Sequence, residues 1–488
     1  MSMIKIDNLT FSYDTSYDNI FDNVSLLIDT DWKSGLVGRN GRGKTTLLKL
    51  LTGKYEYSGK ITSSVKFDYF PYAVDNAERL TEDILHEICP LAEDWELMRE
   101  FSYLDVDADV LWRSFNTLSN GEQTKVLLSA LFLNEGHFLL IDEPTNHLDT
   151  KAREIVSDYL KKKKNFILVS HDRKFLDNCI DHIISINRND IDIQAGNFSS
   201  WYENFERQRK SELLQNEQLK KEIARLNQSA RRTSEWSDKV EASKYDSDVP
   251  DRGFVGHKSA KMMKRSKVIE TRQQQAIKQK SGLLKNIENA ENLKISPLKY
   301  HSDTLVTFSG VSVYYEERQV CENISFDIRC GDRIALNGKN GCGKSSLLKI
   351  MNGENIKYSG DVHIGSGLMI SYVPQNTSHL NGSLSDYARS KNIDESLFKA
   401  ILRKMDFERV QFEKDISEFS EGQKKKVLIA GSLCEQAHLY VWDEPLNFID
   451  IYSRIQIENL IADFLPTIIF VEHDSLFREK IATKLIQI

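Results

Sequence analysis

Two glycine-rich segments of the sequence combine the residue types that bind phosphate. GRNGRGKT occupies residues 38–45 and GKNGCGKS occupies residues 338–345. In such a loop, glycines let backbone N–H groups face a phosphate, a lysine reaches the terminal phosphates and a hydroxyl can hold Mg²⁺. For one match alone, the alternative is a glycine-rich turn that caps an ordinary helix. Two matches favour phosphate binding, with these lysines and hydroxyls as the central groups: Lys44, Lys344, Thr45 and Ser345.

Two pairs of carboxylates follow apolar runs. Asp142 and Glu143 end the first run, and Asp443 and Glu444 end the second. A carboxylate at the carboxyl end of a buried strand lies where ligands of α/β sheets bind. The aspartates suit Mg²⁺ binding through water, and the glutamates can orient or deprotonate an attacking water. A helix N-cap is the alternative for each aspartate, but the phosphate loop before each pair favours the catalytic interpretation.

Two histidines, His171 and His473, also follow apolar runs. An imidazole at such a strand end can contact a γ-phosphate, whereas a lone histidine is more often structural. Their positions after the carboxylate pairs favour the first interpretation.

These motifs occur twice in the same order. LSNGEQ around Ser119 recurs as FSEGQ around Ser420, and the phosphate loops, acidic pairs and histidines recur at the same interval of 300–302 residues. An internal repeat decides the architecture before any single motif does. The sequence therefore predicts two homologous α/β domains, at about 1–198 and 302–488, each with buried parallel strands.

The segment between the repeats has a different composition. From 199 to 241 it contains no Pro or Gly and is dense in Glu, Gln, Lys, Arg and Leu, which predicts one long helix. A heptad pattern follows at Met262, Ile269, Ala276 and Leu283. We expect residues 199–301 to form a helical hairpin linker, of coiled-coil type, with its tip near 242–257.

The second half of this linker is strongly basic. Residues 252–285 hold ten Lys and Arg and one acid, Glu270, in a chain whose net charge is −7. Such a stripe can neutralise RNA phosphate, and aromatic side chains near the tip, including Tyr245 and Phe254, could stack on bases. The alternative is the solvated face of a coiled coil.

Composition excludes several classes of protein. The 488 residues are 40% hydrophobic and 28% charged, which is typical of globular proteins and leaves room for about three domains. The six cysteines form no CxxC pair, which favours a reducing cytoplasm. The N-terminal residues lack the pattern of a signal peptide, and the apolar runs have the length of strands rather than of membrane spans.

The combined motifs resemble the nucleotide-binding domain of ABC ATPases over nearly all of both repeats. The resemblance implies ATP as substrate, Mg²⁺ as cofactor and head-to-tail packing in which the signature residues of one repeat close the ATP site of the other. It assigns ATP hydrolysis to Glu143, Glu444, His171 and His473, and Mg²⁺ binding to Thr45, Asp142, Ser345, Gln375 and Asp443. In the first site, ATP would contact Tyr13, Gly38, Asn40, Gly41, Gly43, Lys44, Thr45, Thr46, Ser420 and Gly422. In the second site, ATP would contact Tyr315, Gly338, Asn340, Gly341, Gly343, Lys344, Ser345, Ser346, Ser119 and Gly121. Tyr13 and Tyr315 would stack on adenine, for which a core aromatic is the alternative.

Two ABC domains with a charged helical linker resemble the ABC-F group, and LIDEPTNHLD and GFVGHKSAKMMKRSK are similar to its Lsa-type antibiotic-resistance proteins. The resemblance implies a cytoplasmic monomer that closes on ATP, binds the E site of the 70S ribosome through rRNA and P-site tRNA, and involves neither DNA nor membrane. Lincosamides, streptogramin A and pleuromutilins would be displaced by tip residues, namely Lys244, Tyr245, Val249, Pro250 and Phe254. A housekeeping translation factor, a transporter ATPase and a DNA-repair ATPase are the alternatives.

The two repeats depart from each other at two places. Tyr72 of DYFPY aligns with Gln375 of SYVPQ, so the first repeat lacks the amide that the family uses as a Mg²⁺ ligand. The second repeat reads PLNFID where the first reads PTNHLD, which predicts an asymmetric interface around Asp450.

Overall fold

The computed structural model describes residues 2–13, 19–146, 148–187, 191–242, 264, 268, 271–272, 293–315, 318–339 and 341–488. The chain divides into two compact units, one formed by residues 1–201 together with 290–488 and the other by residues 202–289. Both predicted α/β repeats belong to the first unit. In the part of the chain described, no helix is both long enough and apolar enough to cross a bilayer.

The first repeat contains two sheets. Strands β1, β2 and β4 form an antiparallel sheet in the order β2-β1-β4, and the other strands form a sheet in the order β5-β6-β7-β3-β8-β9. The larger sheet is parallel except that β9 pairs antiparallel with β8. The strands are β1 (Met3–Phe11), β2 (Phe21–Asp29), β3 (Lys33–Gly38), β4 (Ser58–Ser63), β5 (Lys66–Phe70), β6 (His137–Asp142), β7 (Phe166–Val169), β8 (His182–Ile186) and β9 (Ile191–Ala195).

Helices cover the larger sheet and form a separate helical region between β5 and β6. The helices are α1 (Lys44–Leu51), α2 (Thr81–Ile88), α3 (Asp94–Tyr103), α4 (Asn120–Leu131), α5 (Thr150–Lys162) and α6 (Arg173–Cys179), with 3₁₀ turns at Ala108–Trp112 and Phe115–Thr117. The strand β7 and the centre of β6, residues 138–141, are apolar because helices bury both faces of a parallel sheet.

The second repeat has the same architecture. Strands β10, β11 and β13 form an antiparallel sheet, and five parallel strands follow the order β14-β15-β16-β12-β17. The strands are β10 (Thr304–Tyr315), β11 (Arg318–Arg329), β12 (Arg333–Asn337), β13 (Lys357–Ile364), β14 (Ile370–Val373), β15 (Leu439–Asp443), β16 (Ile468–Val471) and β17 (Lys484–Gln487). The helices are α8 (Lys344–Met351), α9 (Leu384–Ser390), α10 (Glu395–Lys404), α11 (Glu421–Cys434), α12 (Ile451–Phe464) and α13 (Ser475–Ile481), with 3₁₀ turns at Arg409–Glu413 and Ile416–Glu418.

One long helix, α7, extends over Phe198–Ala242. It confirms the helix predicted from 199 to 241, and its start is fixed by the buried Phe198 and Trp201. The heptad residues and the tip residues Lys244, Tyr245, Val249, Pro250 and Phe254 lie outside the described residues. The hairpin and the boundaries 1–198, 199–301 and 302–488 stay predictions.

Candidate nucleotide sites

Each phosphate loop connects a buried strand to a helix, β3 to α1 and β12 to α8. Lys44 lies at the start of α1, where its ammonium donates to the carbonyls of Gly38 at 2.8 Å and Arg39 at 3.2 Å. Lys344 makes the equivalent contacts with the carbonyls of Gly338 and Lys339, at 2.9 and 2.7 Å. In both repeats the loop carbonyls therefore surround the lysine ammonium, the group that reaches the terminal phosphates in such loops.

Glycine is required before both lysines. Gly43 has φ +87° and Gly343 has φ +95°, in the left-handed region that other residues rarely adopt. A Cβ on Gly43 would also lie 2.6 Å from Ile20 Cγ2. Gly41 and Gly341 have positive φ as well, with nothing within 4 Å of an added Cβ, so these two glycines are needed for backbone shape rather than for space.

The hydroxyls after the lysines contact the first carboxylate of each acidic pair. The Thr45 hydroxyl donates to Asp142 Oδ2 at 2.7 Å, and the Ser345 hydroxyl donates to Asp443 Oδ1 at 3.0 Å. The parallel register of β3, β7 and β6 brings these groups to one edge of the sheet. The sequence therefore predicted both juxtapositions.

The second carboxylate of each pair lies beside a histidine. Glu143 Oε1 is 3.3 Å from His171 Nε2, and Glu444 Oε1 is 3.4 Å from His473 Nε2. Both glutamates have positive φ, 51° and 47°. A non-glycine residue in this region costs about 1–3 kcal/mol, and such strain clusters at functional sites.

The two glutamates differ in charge environment. Burial and the charge of Asp142 raise the pKa of Glu143 to about 8. Burial also raises the pKa of Glu444, but hydrogen bonds from His473 and Gln375 have the larger effect and hold that pKa below its ordinary value. A general base must be ionised to accept a proton, so Glu444 is the better prepared of the two.

The tyrosines assigned to adenine lie next to the phosphate loops. The Tyr13 hydroxyl is 2.9 Å from Thr46 Oγ1, and the Tyr315 hydroxyl is 3.0 Å from Ser346 Oγ. Tyr13 is 36% exposed and Tyr315 is 47% exposed. Rings exposed to this extent are not core aromatics, and a base can reach them. Stacking on adenine stays a prediction.

The signature residues begin two helices, each of which starts with a serine N-cap. Ser119 Oγ accepts from the Glu122 amide, and Ser420 Oγ accepts from the Gln423 amide, both at 3.3 Å. At the first site, Asn40 Nδ2 donates to the Phe448 carbonyl at 2.7 Å. A Cβ on Gly422 would lie 2.9 Å from Asn40 Nδ2. The signature of the second repeat therefore packs directly against the phosphate loop of the first.

At the second site, residues of both repeats line a cavity of about 1060 Å³. The first repeat contributes its signature and the second contributes its phosphate loop, tyrosine, glutamate and histidine; these include Ser119, Gly121, Tyr315, Gly341, Lys344 and His473. This arrangement is the head-to-tail geometry that the resemblance implies. Asn340, assigned to the same site, lies outside the described residues.

Gln375 and Tyr72 differ in what they contact. Both follow the last strand residue by two positions, and Gln375 Nε2 donates to Glu444 Oε2 at 2.9 Å. Tyr72 instead interacts with Glu87, which together with burial raises the pKa of the phenol. A second tyrosine, Tyr69, donates to Asp142 Oδ2 at 3.0 Å. Tyr69 is not among the predicted site residues, because its contact with Asp142 depends on the pairing of β5 with β6.

Mg²⁺ fits the second site. Asp443 Oδ2 is buried and has no hydrogen-bond partner in the described part of the chain, and a cation satisfies such an oxygen. Ser345, Gln375 and Asp443 would hold the ion there, and Thr45 and Asp142 would hold it in the first site. Bound Mg²⁺ supplies positive charge to the β- and γ-phosphates.

The interface is also asymmetric around Asp450, as the sequence predicted. Asp450 and its counterpart Asp149 both cap a helix, by accepting from the Ser453 and Ala152 amides, but Asp450 is also buried and pairs with Lys426 at 2.8 Å. Arg39 adds an ion pair across the repeats with Asp406 at 3.3 Å. No pattern in the sequence indicates this last contact, because it joins residues from different repeats.

A second difference lies at the edges of the interface. Arg173 of the first repeat pairs with the buried Glu458 of the second, with Nη1 3.2 Å from Oε2. The corresponding positions on the opposite edge hold Ser475 and Ser157, and both line a cavity of about 480 Å³. An ion pair therefore joins the repeats at the Arg173 edge, whereas a cavity lies at the Ser475 edge.

Comparison with known proteins identifies the origin of this geometry. Residues 21–146 and 321–447 match the family described as ABC transporter, and together they make up just over half of the chain. The chain belongs to the ABC transporter family. Its two repeats are ABC ATPase domains, and the protein is an ATPase. ABC ATPase domains in general use ATP with Mg²⁺.

Relatives of this ABC protein match along almost its whole length. It is 28% identical to ATP-binding protein Uup of Buchnera aphidicola subsp. Acyrthosiphon pisum, covering 99% of this chain and 80% of that protein. It is 27% identical to ribosome protection protein VmlR of Bacillus subtilis, covering 96% and 84%. Its fold is similar to a chain in the complex of archaeal ribosomal stalk protein aP1 and archaeal ribosome recycling factor aABCE1, with a TM-score of 0.65, 19% identity and coverage of 98% and 87%.

We expect the second site to hydrolyse ATP faster than the first, by about tenfold, which corresponds to about 1.4 kcal/mol in the barrier. The reason is that Gln375 contacts Glu444 whereas Tyr72 turns to Glu87. Single-turnover hydrolysis by Glu143→Gln reports the second site, and Glu444→Gln reports the first. Equal rates in the two variants would contradict the expectation.

Proposed function

We propose that this ATPase is an ABC-F protein of the Lsa type that protects ribosomes from antibiotics. The observation that carries the proposal is a separate compact unit, residues 202–289, between two ATPase domains, into which the 45-residue helix α7 (Phe198–Ala242) leads. At about 1.5 Å per residue that helix is about 67 Å long. Similarity to VmlR along 96% of the chain supports the same proposal.

The proposed action uses ATP binding to place the linker. With ATP in both sites, the domains close and the protein occupies the ribosomal E site. The basic residues between 252 and 285 then neutralise rRNA phosphate, as Lys and Arg do in RNA complexes generally. The tip residues, with P-site tRNA beside them, free the peptidyl-transferase centre of lincosamides, streptogramin A or pleuromutilins. Hydrolysis then opens the domains and releases the ribosome.

A housekeeping translation factor of the ABC-F group is the second candidate. The similarity to Uup, which has 28% identity, favours it because that protein's name says only that it binds ATP. Both candidates bind ribosomes, so ribosome association alone does not distinguish them. Drug resistance does.

The test replaces residues 245–254 with a short Gly-Ser turn and, separately, changes Phe254→Ala. We expect the turn variant to lower resistance to a lincosamide about eightfold, a difference of about 1.2 kcal/mol if it reflects ribosome occupancy. Intrinsic ATP hydrolysis should be kept, because neither nucleotide site includes these residues. The measurement is the inhibitory drug concentration in cells that express equal amounts of each protein.

Tyr358→Ala is the matched control. It removes an aromatic side chain that is 43% exposed on β13 and lies outside the residues assigned to both sites. Full resistance with the Gly-Ser turn, together with continued ribosome binding, would favour the housekeeping candidate.

A further inference from the structure

Lys425 is a buried lysine behind the second nucleotide site. It lies in the second turn of α11 and is only 2% exposed. Its ammonium donates to the carbonyl of Pro374 at 3.0 Å and to the carbonyl of Asp443 at 3.4 Å. Pro374 precedes Gln375 and Asp443 precedes Glu444, so one side chain holds the backbone of both residues that meet at the site.

Burying an ammonium is costly unless its hydrogen bonds and its charge are compensated. Here the two carbonyls accept the hydrogen bonds. Burial lowers the pKa of Lys425, and the nearby carboxylates of Asp443, Glu472 and Glu444 offset part of that effect. The Lys425 ammonium therefore lies among the carboxylates at the strand ends that carry the catalytic groups, rather than elsewhere in the core.

Glu472 makes a matching set of contacts on the acidic side. Its Oε1 accepts from the Leu446 amide at 2.6 Å and its Oε2 accepts from the His473 amide at 3.2 Å. Leu446 begins the segment that leads to Asp450, and His473 contacts Glu444. The side chains of Lys425 and Glu472 thus hydrogen-bond to the backbone at four positions around Glu444, namely Pro374, Asp443, Leu446 and His473.

The fold does not require this pair of charges. In the first repeat the corresponding residues are Thr124 and Ser170. The Thr124 hydroxyl donates to the Asn120 carbonyl of its own helix at 2.9 Å, and the Ser170 hydroxyl lies 3.1 Å from Thr145 Oγ1. The same helix and the same strand therefore form without the lysine and the glutamate, and the pair distinguishes one catalytic site from the other.

We propose that Lys425 is a positioning residue for ATP hydrolysis at the second site, and that Glu472 completes its action. Lys425 holds Gln375 and Glu444 in contact through their neighbouring carbonyls. Because α11 begins at the signature residue Ser420, which faces the first site, the same helix connects closure of the first site to the catalytic geometry of the second. Thr124 provides no such connection in the opposite direction.

The test uses the full chain with Glu143→Gln, so that hydrolysis reports the second site alone. Into this background we introduce Lys425→Thr, the residue of the first repeat. We expect kcat to fall at least tenfold, because Gln375 and Glu444 lose their common support, while KM and the affinity for a fluorescent ATP analogue change less than twofold. Glu472→Ser should have the same effect, and the double variant should add little to either single one.

Two further variants separate positioning from a general loss of structure. Lys425→Arg keeps a donor for both carbonyls and should retain more activity than Lys425→Thr. Lys391→Thr removes a lysine that is 44% exposed and paired with Glu435, and should leave hydrolysis unchanged. The proposal would be overturned by unchanged kcat in Lys425→Thr, or by a loss of kcat that merely follows a loss of folded, nucleotide-binding protein.

Discussion

We expect replacement of Glu143 and Glu444 together by Gln to lower ATP hydrolysis at least about 100-fold and to leave ATP binding intact. General-base catalysis contributes about 10²–10⁴-fold to a rate, and these two carboxylates lie beside His171 and His473 at the strand ends. An amide keeps the shape of the side chain but cannot accept the proton. Phosphate release at saturating ATP measures the loss, and retention of a fluorescent ATP analogue measures binding.

The matched control changes Glu322 and Glu354 to Gln, because both are exposed and lie outside the assigned residues. It removes the same number of charges and should leave turnover unchanged. A double variant of Glu143 and Glu444 that hydrolyses ATP at the parent rate would show that another group activates the water. Under the proposed function, the inactive variant should also stay bound to ribosomes, since it closes on ATP and cannot open.

In the Glu444→Gln background, where hydrolysis reports the first site, Gly422→Val should reduce ATP hydrolysis about 100-fold by preventing closure of that site. An added Cβ would lie 2.4 Å from the Phe448 carbonyl oxygen and 2.9 Å from Asn40 Nδ2. Neither group can yield cheaply, because the Asn40 amide donates to that same carbonyl. Removal of one preorganised donor near a transition state costs about 10²–10³-fold, and here the whole signature turn is displaced.

The measurement is turnover together with the midpoint of thermal unfolding without nucleotide. Phe448 belongs to the same repeat as Gly422, so the unfolding midpoint shows whether that repeat still folds around the added side chain; we expect the midpoint to fall and the repeat to stay folded. Normal turnover would mean that the two repeats hydrolyse ATP without the contact seen at Asn40. A collapsed unfolding midpoint would instead assign the glycine to folding.

Much of the catalytic geometry could be predicted from local sequence. The strand–loop–helix order around Lys44 and Lys344, the acidic pairs and the histidines depend on short segments, and parallel pairing then brings strand ends to one edge. The long helix α7 was predictable for the same reason, since its composition and lack of Pro and Gly are local properties.

The remaining features depend on residues that are distant in sequence and unlike their counterparts in the other repeat. Tyr69 donates to Asp142 only because β5 and β6 are neighbours in register. Arg39 pairs with Asp406 across 367 positions of sequence, through the packing of one repeat on the other. Lys425 looks like part of a solvated KKK run, yet the turn of α11 buries it. No periodicity in a single chain segment encodes such contacts.

The charged edge at Arg173 and the open edge at Ser475 should resist separation of the repeats unequally. Parting Arg173 from Glu458 would remove one of the two cations, Arg173 and Lys480, that contact a carboxylate whose side chain is 1% exposed, and loss of a charge partner from a buried carboxylate is costly. The opposite edge already contains space and loses no such pair. The two domains should therefore separate by rotation about the edge at Arg173, with the edge at Ser475 moving first. Spent nucleotide would then leave in a fixed order, from the second site before the first.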